Sequence, residues 1–152
     1  MEEIFVDASA FVALLSQIDK NHERALAVFT ALEDCGAPLI TTNHVVDETC
    51  TWFLYHERNG HTKAVEFGKV VAAASVLTGL GTGHFRRSSA QDLTVVYATP
   101  QLESVAWEIF SRYDTAGFSF TDCVSFAVMR AIGIKRAFAF DSHFDVMGFE
   151  RL

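Results

Sequence analysis

The hydrophobic positions along the chain fall into short apolar runs and longer stretches with helical spacing, which predicts an α/β protein. The apolar runs predict four strands at residues 3–6, 39–41, 93–97 and 136–140, and the tail at 148–152 is a candidate edge strand. The helical spacing predicts six helices at 8–16, 21–33, 42–58 and 61–78, from Pro100 onward, and from 119–121 to about 132. Strands separated by helices need crossover connections, so we expect a short, mostly parallel sheet of four or five strands flanked by helices.

Several of these helices have recognisable end signals. Thr99 followed by Pro100 is a cap with proline at the first helical position, which is typical of a helix start. Asn59-Gly60 is expected to end the third helix and Gly133 the sixth. No Pro-rich linker or internal repeat divides the chain, so residues 1–152 are predicted to form a single domain.

The composition indicates a globular protein. Half of the 152 residues are apolar and 20% are charged, which excludes intrinsic disorder. Cys35, Cys50 and Cys123 have no C-x-x-C spacing and lie among apolar residues, so we expect three reduced core thiols. The N-terminus lacks the basic region of a signal peptide, and the longest uncharged stretch in the middle of the chain is too short to cross a bilayer. These features predict a cytoplasmic protein without membrane contact.

Candidate chemistry lies where the predicted strands end. Asp7 and Asp141 directly follow the first and fourth strands, Asp122 lies at the start of the sixth helix, and Glu48 lies early in the third. Ligands of parallel α/β folds bind outside the carboxyl ends of the strands, where these acids are expected to meet. Taken singly, each acid is equally well explained as a helix cap or a surface charge. Together they have no Lys or Arg within two residues, which favours a cation from solution, Mg²⁺ or Mn²⁺.

The net charge of −7 is a poor basis for holding nucleic acid through bulk electrostatics. With the four site acids set aside, however, fifteen acidic residues remain against twelve basic ones. The pairs Arg86-Arg87 and Lys135-Arg136 are then either local basic patches or ordinary solvated charges. Arg86 and Arg87 are the candidates for contact with a nucleic acid.

Three segments carry a family resemblance. They are FVDASAF at 5–11, FSFTDCVSF at 118–126 and FAFDSHF at 138–144. In this order, over nearly the whole chain, they resemble PIN domains, and more narrowly the VapC-type toxins of toxin–antitoxin pairs. The resemblance implies a PIN-like three-layer sandwich and an endoribonuclease dependent on Mg²⁺ or Mn²⁺. It also implies a homodimer and a cognate antitoxin whose tail covers the active site.

The resemblance assigns roles to particular residues. The family's acidic quartet carries over onto Asp7, Glu48, Asp122 and Asp141, as catalytic residues and metal ligands. Asp47 competes with Glu48, and a shift of one residue turns about 100° around a helix, so only one of them faces the site. The supporting residues implied are Ser9 and Thr121 as hydrogen-bond partners and Asp145 as an outer acid. Residues 79–92 depart from the family pattern, so the resemblance does not define the RNA-entry and antitoxin surfaces.

Other interpretations stay open at this point. Asp7 could accept a phosphoryl group, as the aspartate after the first strand does in receiver and haloacid-dehalogenase-like domains. The phosphatases among these carry a second aspartate two residues further on, and here that position is Ser9. The chain could also be a non-catalytic binding module of the same fold. Zinc at His56 and His61 is disfavoured, because their spacing is one residue too long for two ligands on one helical face. Trp52 is most simply a core or dimer-interface residue, as is Trp107.

Overall fold

Strands and helices alternate along the chain in the computed structural model, which describes residues 2–78 and 93–152. The strands are β1 (Ile4–Val6), β2 (Leu39–Thr42), β3 (Ser75–Thr78), β4 (Leu93–Tyr97), β5 (Arg136–Phe138) and β6 (Glu150–Arg151). The helices are α1 (Ala8–Leu15), α2 (His22–Cys35), α3 (Asn43–His56), α4 (Gly60–Ala72), α5 (Pro100–Arg112), α6 (Phe120–Ile132) and α7 (His143–Val146).

The strands form one parallel sheet, and its topology sets the position of the site. Across the described residues the order is β3-β4-β2-β1-β5-β6, and every neighbouring pair is parallel. The predicted α/β class and flanking helices are confirmed, with one strand more than the four or five expected. From β1 the chain first adds β2 on one side and later returns to add β5 on the other. The crevice between β1 and β5 is therefore the topological switch point, the usual ligand position in such sheets.

The additional strand is β3, at residues that the helical spacing assigned to the end of the fourth helix. That helix, α4, instead ends at Ala72, and Ser75–Thr78 pair with β4 in the register Val76↔Val95. Parallel strands are joined by a crossover connection, so a strand and its partner are separated along the sequence. The local spacing of hydrophobic residues therefore cannot show that residues 75–78 pair with the edge of β4. The assignment of 75–78 to a helix was wrong for this reason.

Helix ends follow the local signals closely. The Thr42 side chain accepts a hydrogen bond from Val45 N–H at 3.2 Å and begins α3. Thr99 accepts from Leu102 N–H at 3.3 Å and begins α5, with Pro100 at the first position. Gly133 closes α6 with a positive φ of 86°, a conformation that costs glycine little.

The core is rich in phenylalanine and lies on both sides of β1 and β5. The largest fully buried side chains are those of Phe5, Phe53, Phe67, Phe126, Phe138 and Phe144. Eight consecutive residues of α6, from Asp122 to Met129, are buried, so this helix passes through the interior.

The cysteines differ from the expectation of three core thiols. Cys123 is buried and Cys50 is partly buried, but Cys35 is exposed at the last position of α2. All three are free thiols. Cys35 is the last residue of α2, directly before the cap Gly36, so it lies beyond the core-facing part of the helix that includes Leu32.

None of the helices in the described part of the chain combines the length and apolar character that a membrane span requires.

Candidate active site

Asp7 begins the site at the carboxyl end of β1. Its side chain caps α1 by accepting a hydrogen bond from Ser9 N–H at 3.0 Å, and Ser9 Oγ–H donates to the same oxygen at 2.5 Å. The Ser9 hydroxyl oxygen in turn accepts from Phe140 N–H at 2.9 Å. Ser9 thus ties the chain after β1 to the chain after β5, as a hydrogen-bond partner of the predicted kind. Asp7 is buried, and the two hydrogen bonds from Ser9 orient its carboxylate.

Asp122 is fixed by the start of α6. Ser119 is the helix cap: its Oγ accepts from Asp122 N–H at 3.0 Å, while Asp122 Oδ2 accepts from Ser119 N–H at 2.9 Å. This reciprocal pair is a capping box. The predicted partner Thr121 is not among the cavity-lining residues of the described chain. Helix geometry makes Ser119 the partner, because the cap and the third helical residue face each other and Thr121 lies between them.

His143 joins two of the acids and was not among the predicted site residues. Its Nδ1 lies 2.9 Å from Asp122 Oδ2 and 3.2 Å from Asp141 Oδ2. Its backbone N–H donates to Asp141 Oδ1 at 2.9 Å. One ligand atom from each of these three side chains lies within 4.8 Å of the others, a spacing that suits a shared metal ion. The sequence did hint at this role, because His143 lies two residues after Asp141. That position is equally typical of a residue that caps a short helix.

Glu48, rather than Asp47, is the acid of α3 that faces the site. Val45, Thr49 and Phe53 form the buried face of the helix, and Glu48 lies beside that face, half-buried. Asp47 points away and is exposed. The packing of α3 therefore decides the alternative that the sequence left open.

These side chains surround one cavity of about 330 Å³ at the switch point. Asp7, Glu48, Asp122 and Asp141 all line it, together with His143. Two further lining residues, Asp19 and Trp52, were not predicted as site residues. Asp19 lies in the turn between α1 and α2, whose path only the tertiary structure shows. The cavity thus has five carboxylates, and no Lys or Arg lines it within the ranges 2–78 and 93–152.

Burial and crowding disfavour the charged form of two of these acids. Burial raises the pKa of Asp7 to about 6, opposed by the hydrogen bonds from Ser9 and assisted by the charge of Asp122. The pKa of Glu48 rises to about 7, first through burial and then through the charges of Asp7, Asp122 and Asp141. Perturbed carboxyl groups in a cleft are typical of functional sites.

The donor set fits a divalent cation. Carboxylate oxygens are the ligands that Mg²⁺ and Mn²⁺ prefer, and a cation would offset the burial and the repulsion that together raise the pKa values of Asp7 and Glu48. Asp7 and Asp122 are each anchored through one oxygen, Oδ2, by hydrogen bonds from the protein. Such anchoring orients a carboxylate toward a ligand at its other oxygen.

Other candidates lie apart from the cavity. Asp145 is an exposed partner of Arg151, at 2.6 Å, and Arg151 Nη1 donates to the Phe140 carbonyl oxygen. The predicted outer acid does not line the cavity, and Arg151 links it to Phe140, which does. On the same helix as Glu48, His44 bonds Glu103 of α5 at 3.0 Å and does not line the cavity. Arg86 and Arg87 lie outside the described residues.

Fold and site together define a class: parallel α/β proteins with an acidic cation site at the carboxyl edge of the sheet. The family model of the PIN domain matches residues 4–150, and the chain belongs to this family. The resemblance carried by the segments at 5–11, 118–126 and 138–144 is thereby confirmed.

Named relatives agree with this membership. The chain is 38% identical over 146 residues to the 23S rRNA-specific endonuclease VapC20 of Mycobacterium tuberculosis, which covers 96% of this chain and 95% of that protein. It is 29% identical to a VapC ribonuclease of Archaeoglobus fulgidus, over 93% of this chain and 78% of that protein. The crystal structure of M. tuberculosis VapC20, described as a sarcin-ricin loop cleaving toxin, superposes with a TM-score of 0.76. It is 34% identical, over 97% of this chain and 96% of that one.

Proposed function

We propose that this protein is a metal-dependent endoribonuclease that acts as the toxin of a type II toxin–antitoxin pair. The observation that carries the proposal is the convergence of Asp7, Glu48, Asp122 and Asp141 on one cavity at the switch point of a PIN-family sheet. The relatives named as VapC ribonucleases support the reaction and the substrate class.

The acids would hold Mg²⁺ or Mn²⁺, with His143 beside Asp122 and Asp141. When bound, such a cation activates water for attack on phosphorus and neutralises charge on the phosphate. The protein's own part is positional: Ser9 holds Asp7, Ser119 holds Asp122, and the Nδ1–H of His143 spans Asp122 and Asp141. Fixed ligands of this kind need no rearrangement as the substrate reacts.

The structure favours this chemistry over phosphoryl transfer to Asp7. Ser9 occupies the position where phosphatases with such an aspartate carry a second one, and its hydroxyl donates to Asp7 Oδ2. The five carboxylates around the cavity suit a bound cation that activates water. We therefore propose hydrolysis without a covalent intermediate, with a 5′-phosphate and a 3′-hydroxyl as products.

Ribosomal RNA is the proposed substrate. The relative with 38% identity is named for its specificity toward 23S rRNA, and its structure is described by cleavage of the sarcin-ricin loop. The alignment with that relative covers 96% of this chain, so the segments around the cavity have counterparts in it.

A cleavage assay tests the function. Purified protein free of antitoxin is incubated with intact ribosomes and with total RNA in Mg²⁺, Mn²⁺ or EDTA, and cleavage sites are mapped by primer extension. We expect discrete cleavage of 23S rRNA that requires the cation and is lost in Asp122→Asn, whose amide keeps the size of the side chain. Equal cleavage by the wild type and Asp122→Asn would contradict the site assignment, and no cleavage of any RNA with cation present would contradict the function.

The remaining partners are a second copy of the chain and an antitoxin. Trp107 and Phe110 on α5 are 54% and 42% exposed, and their rings contact each other at a centroid distance of 5.7 Å. An exposed aromatic pair of this kind is typical of a protein interface, and we assign it to a homodimer. Light scattering of the purified protein measures its mass in solution. The antitoxin is proposed because a toxin must be neutralised in the cell that makes it.

A further inference from the structure

Trp52 occupies an aromatic wall of the acidic cavity. It lies four residues after Glu48 on α3, which corresponds to a rise of about 6 Å on the same helical face. Both side chains line the cavity, together with Asp7 and Asp141. If the phosphate of an RNA strand lies at the acids, a neighbouring nucleotide of that strand therefore lies near the indole of Trp52.

Neighbouring rings hold the indole in one orientation. The His56 ring stacks on it with a centroid distance of 4.8 Å and an interplanar angle of 10°. Phe53, which is fully buried, contacts it edge-on at 5.7 Å. Trp52 itself is only partly buried. A preoriented aromatic surface loses little conformational freedom when a ligand binds.

The charges of the cavity limit how RNA can be held there. Its five carboxylates repel a phosphate backbone, and in the part of the chain that the structure describes no Lys or Arg lines it. Apart from a bound cation, attraction must come from contacts that do not depend on phosphate charge. Stacking of a base on an aromatic side chain is such a contact, and unstacked bases are commonly recognised in this way in RNA.

We propose that Trp52 is the platform of a nucleobase-binding subsite, on which a base next to the scissile phosphate stacks. This assignment rests on the proposed ribonuclease function. Trp52 makes RNA binding depend on a splayed base, so the subsite selects loops and single strands over continuous duplex.

Fluorescence provides a test that does not require cleavage. The chain has two tryptophans, so Trp107→Phe leaves Trp52 as the single indole reporter. With Asp122→Asn added to prevent turnover, the protein is titrated with a short single-stranded RNA and with the same RNA lacking bases. We expect quenching of Trp52 by the complete RNA and at least tenfold weaker quenching by the abasic one. Equal quenching by both, or none by either, would overturn the proposal. Quenching by the antitoxin but not by RNA would also overturn it and assign Trp52 to the protein partner.

Kinetics provide the second test. Trp52→Ala is expected to lower kcat/KM about tenfold or more, mainly through a higher KM, whereas Trp52→Phe keeps most of the activity. Tyr55→Ala is the matched control, because Tyr55 lies on the same helix, is 80% exposed and does not line the cavity. An unchanged KM in Trp52→Ala, or an equal loss in Tyr55→Ala, would refute the subsite. If the wild type cleaves no RNA, the proposed function fails, and the fluorescence titration still decides whether Trp52 binds a base.

Discussion

At the scale of single residues, the site is built from groups that also hold the backbone. Asp7 caps α1 and Asp122 belongs to the capping box of α6, so each has a structural and a chemical role. This explains why the sequence supported a structural role for each of these acids, as a helix cap, as well as a functional one. Asparagine retains the ability to cap a helix but not the charge, so Asn variants separate the two roles.

Ser9 is the residue whose hydrogen bonds connect the two strands of the switch point. Ser9→Ala removes the bond to Asp7 and leaves Phe140 N–H without its acceptor. We expect a loss of about 1–2 kcal/mol in the free energy of unfolding. Cleavage should fall about tenfold or more because Asp7 is less well oriented. Chemical denaturation and initial rates measure the two effects.

Ser142→Ala is the control for this change. Ser142 is exposed in the same segment, and its side chain does not cap α7. Stability and rate should both stay close to those of the wild type. Similar losses in the two variants would show that the link through Ser9 has no special role.

At the scale of elements, the position of α3 decides which side chains reach the cavity. The helix carries Glu48 and Trp52, and it packs closely against the start of α4 at Gly60. A Cβ atom at Gly60 would lie 1.9 Å from the Phe53 carbonyl oxygen, so only glycine fits without movement of the backbone. Gly60 was expected to end the third helix, but α3 ends at His56 and Gly60 is the first residue of α4, where its lack of a side chain allows α3 and α4 to approach closely.

Two glycines of α4 provide a matched pair of variants. Gly60→Ala should lower the free energy of unfolding by roughly 1–3 kcal/mol, because the methyl group forces α3 and α4 apart. Gly68→Ala meets nothing within 4 Å and should raise stability by up to about 1 kcal/mol, since alanine favours the helix. Urea denaturation measures both. Equal effects of the same sign would contradict the close contact at Gly60.

At the scale of the whole molecule, the chain gathers like charges at one edge of its sheet. The acidic cavity forms because the parallel topology brings the ends of β1 and β5 together and packing adds α3 and α6. Without a cation, ionisation of these carboxyl groups costs stability, first because they are buried and then because they repel one another. The pKa of Asp7 near 6 and that of Glu48 near 7 record this cost.

The thermal stability of cation-free protein should therefore depend on pH. Because both pKa values are raised in the folded state, protonation favours folding, and this contribution is lost as pH rises from about 4 to 7. In EDTA we expect a fall in Tm over this window that is smaller in Glu48→Gln than in the wild type. Asp34→Asn, at an exposed acid of α2, should leave the wild-type profile unchanged.

Added Mg²⁺ or Mn²⁺ should reverse the loss. The increase in Tm is expected to be larger at pH 8 than at pH 5.5, because protons compete with the cation for the carboxylates. Scanning fluorimetry measures both profiles. An increase independent of pH, or one that is equally large in Asp7→Asn, would contradict binding at this site.

The sequence by itself determined the class of fold, most helix ends and the acids that gather at the switch point. These features have local causes: apolar runs, caps such as Thr42 and Thr99, and carboxylates placed directly after strands or at helix starts. Asp7, Asp122 and Asp141 could be named from the sequence because their positions in those elements allow few directions for the side chain. Their roles as cation ligands and catalytic groups remain predictions.

Tertiary structure decided what depends on partners distant along the chain. β3 became a strand because β4 offered an edge, and Glu48 faced the cavity instead of Asp47 because Val45, Thr49 and Phe53 turned α3 toward the core. Asp145 pairs with Arg151 instead of joining the acids of the cavity, because β6, which carries Arg151, pairs with β5. Asp19 and Trp52 reached the cavity in the same way. Such outcomes have no local signal, because a side chain's surroundings are set by which elements pack together.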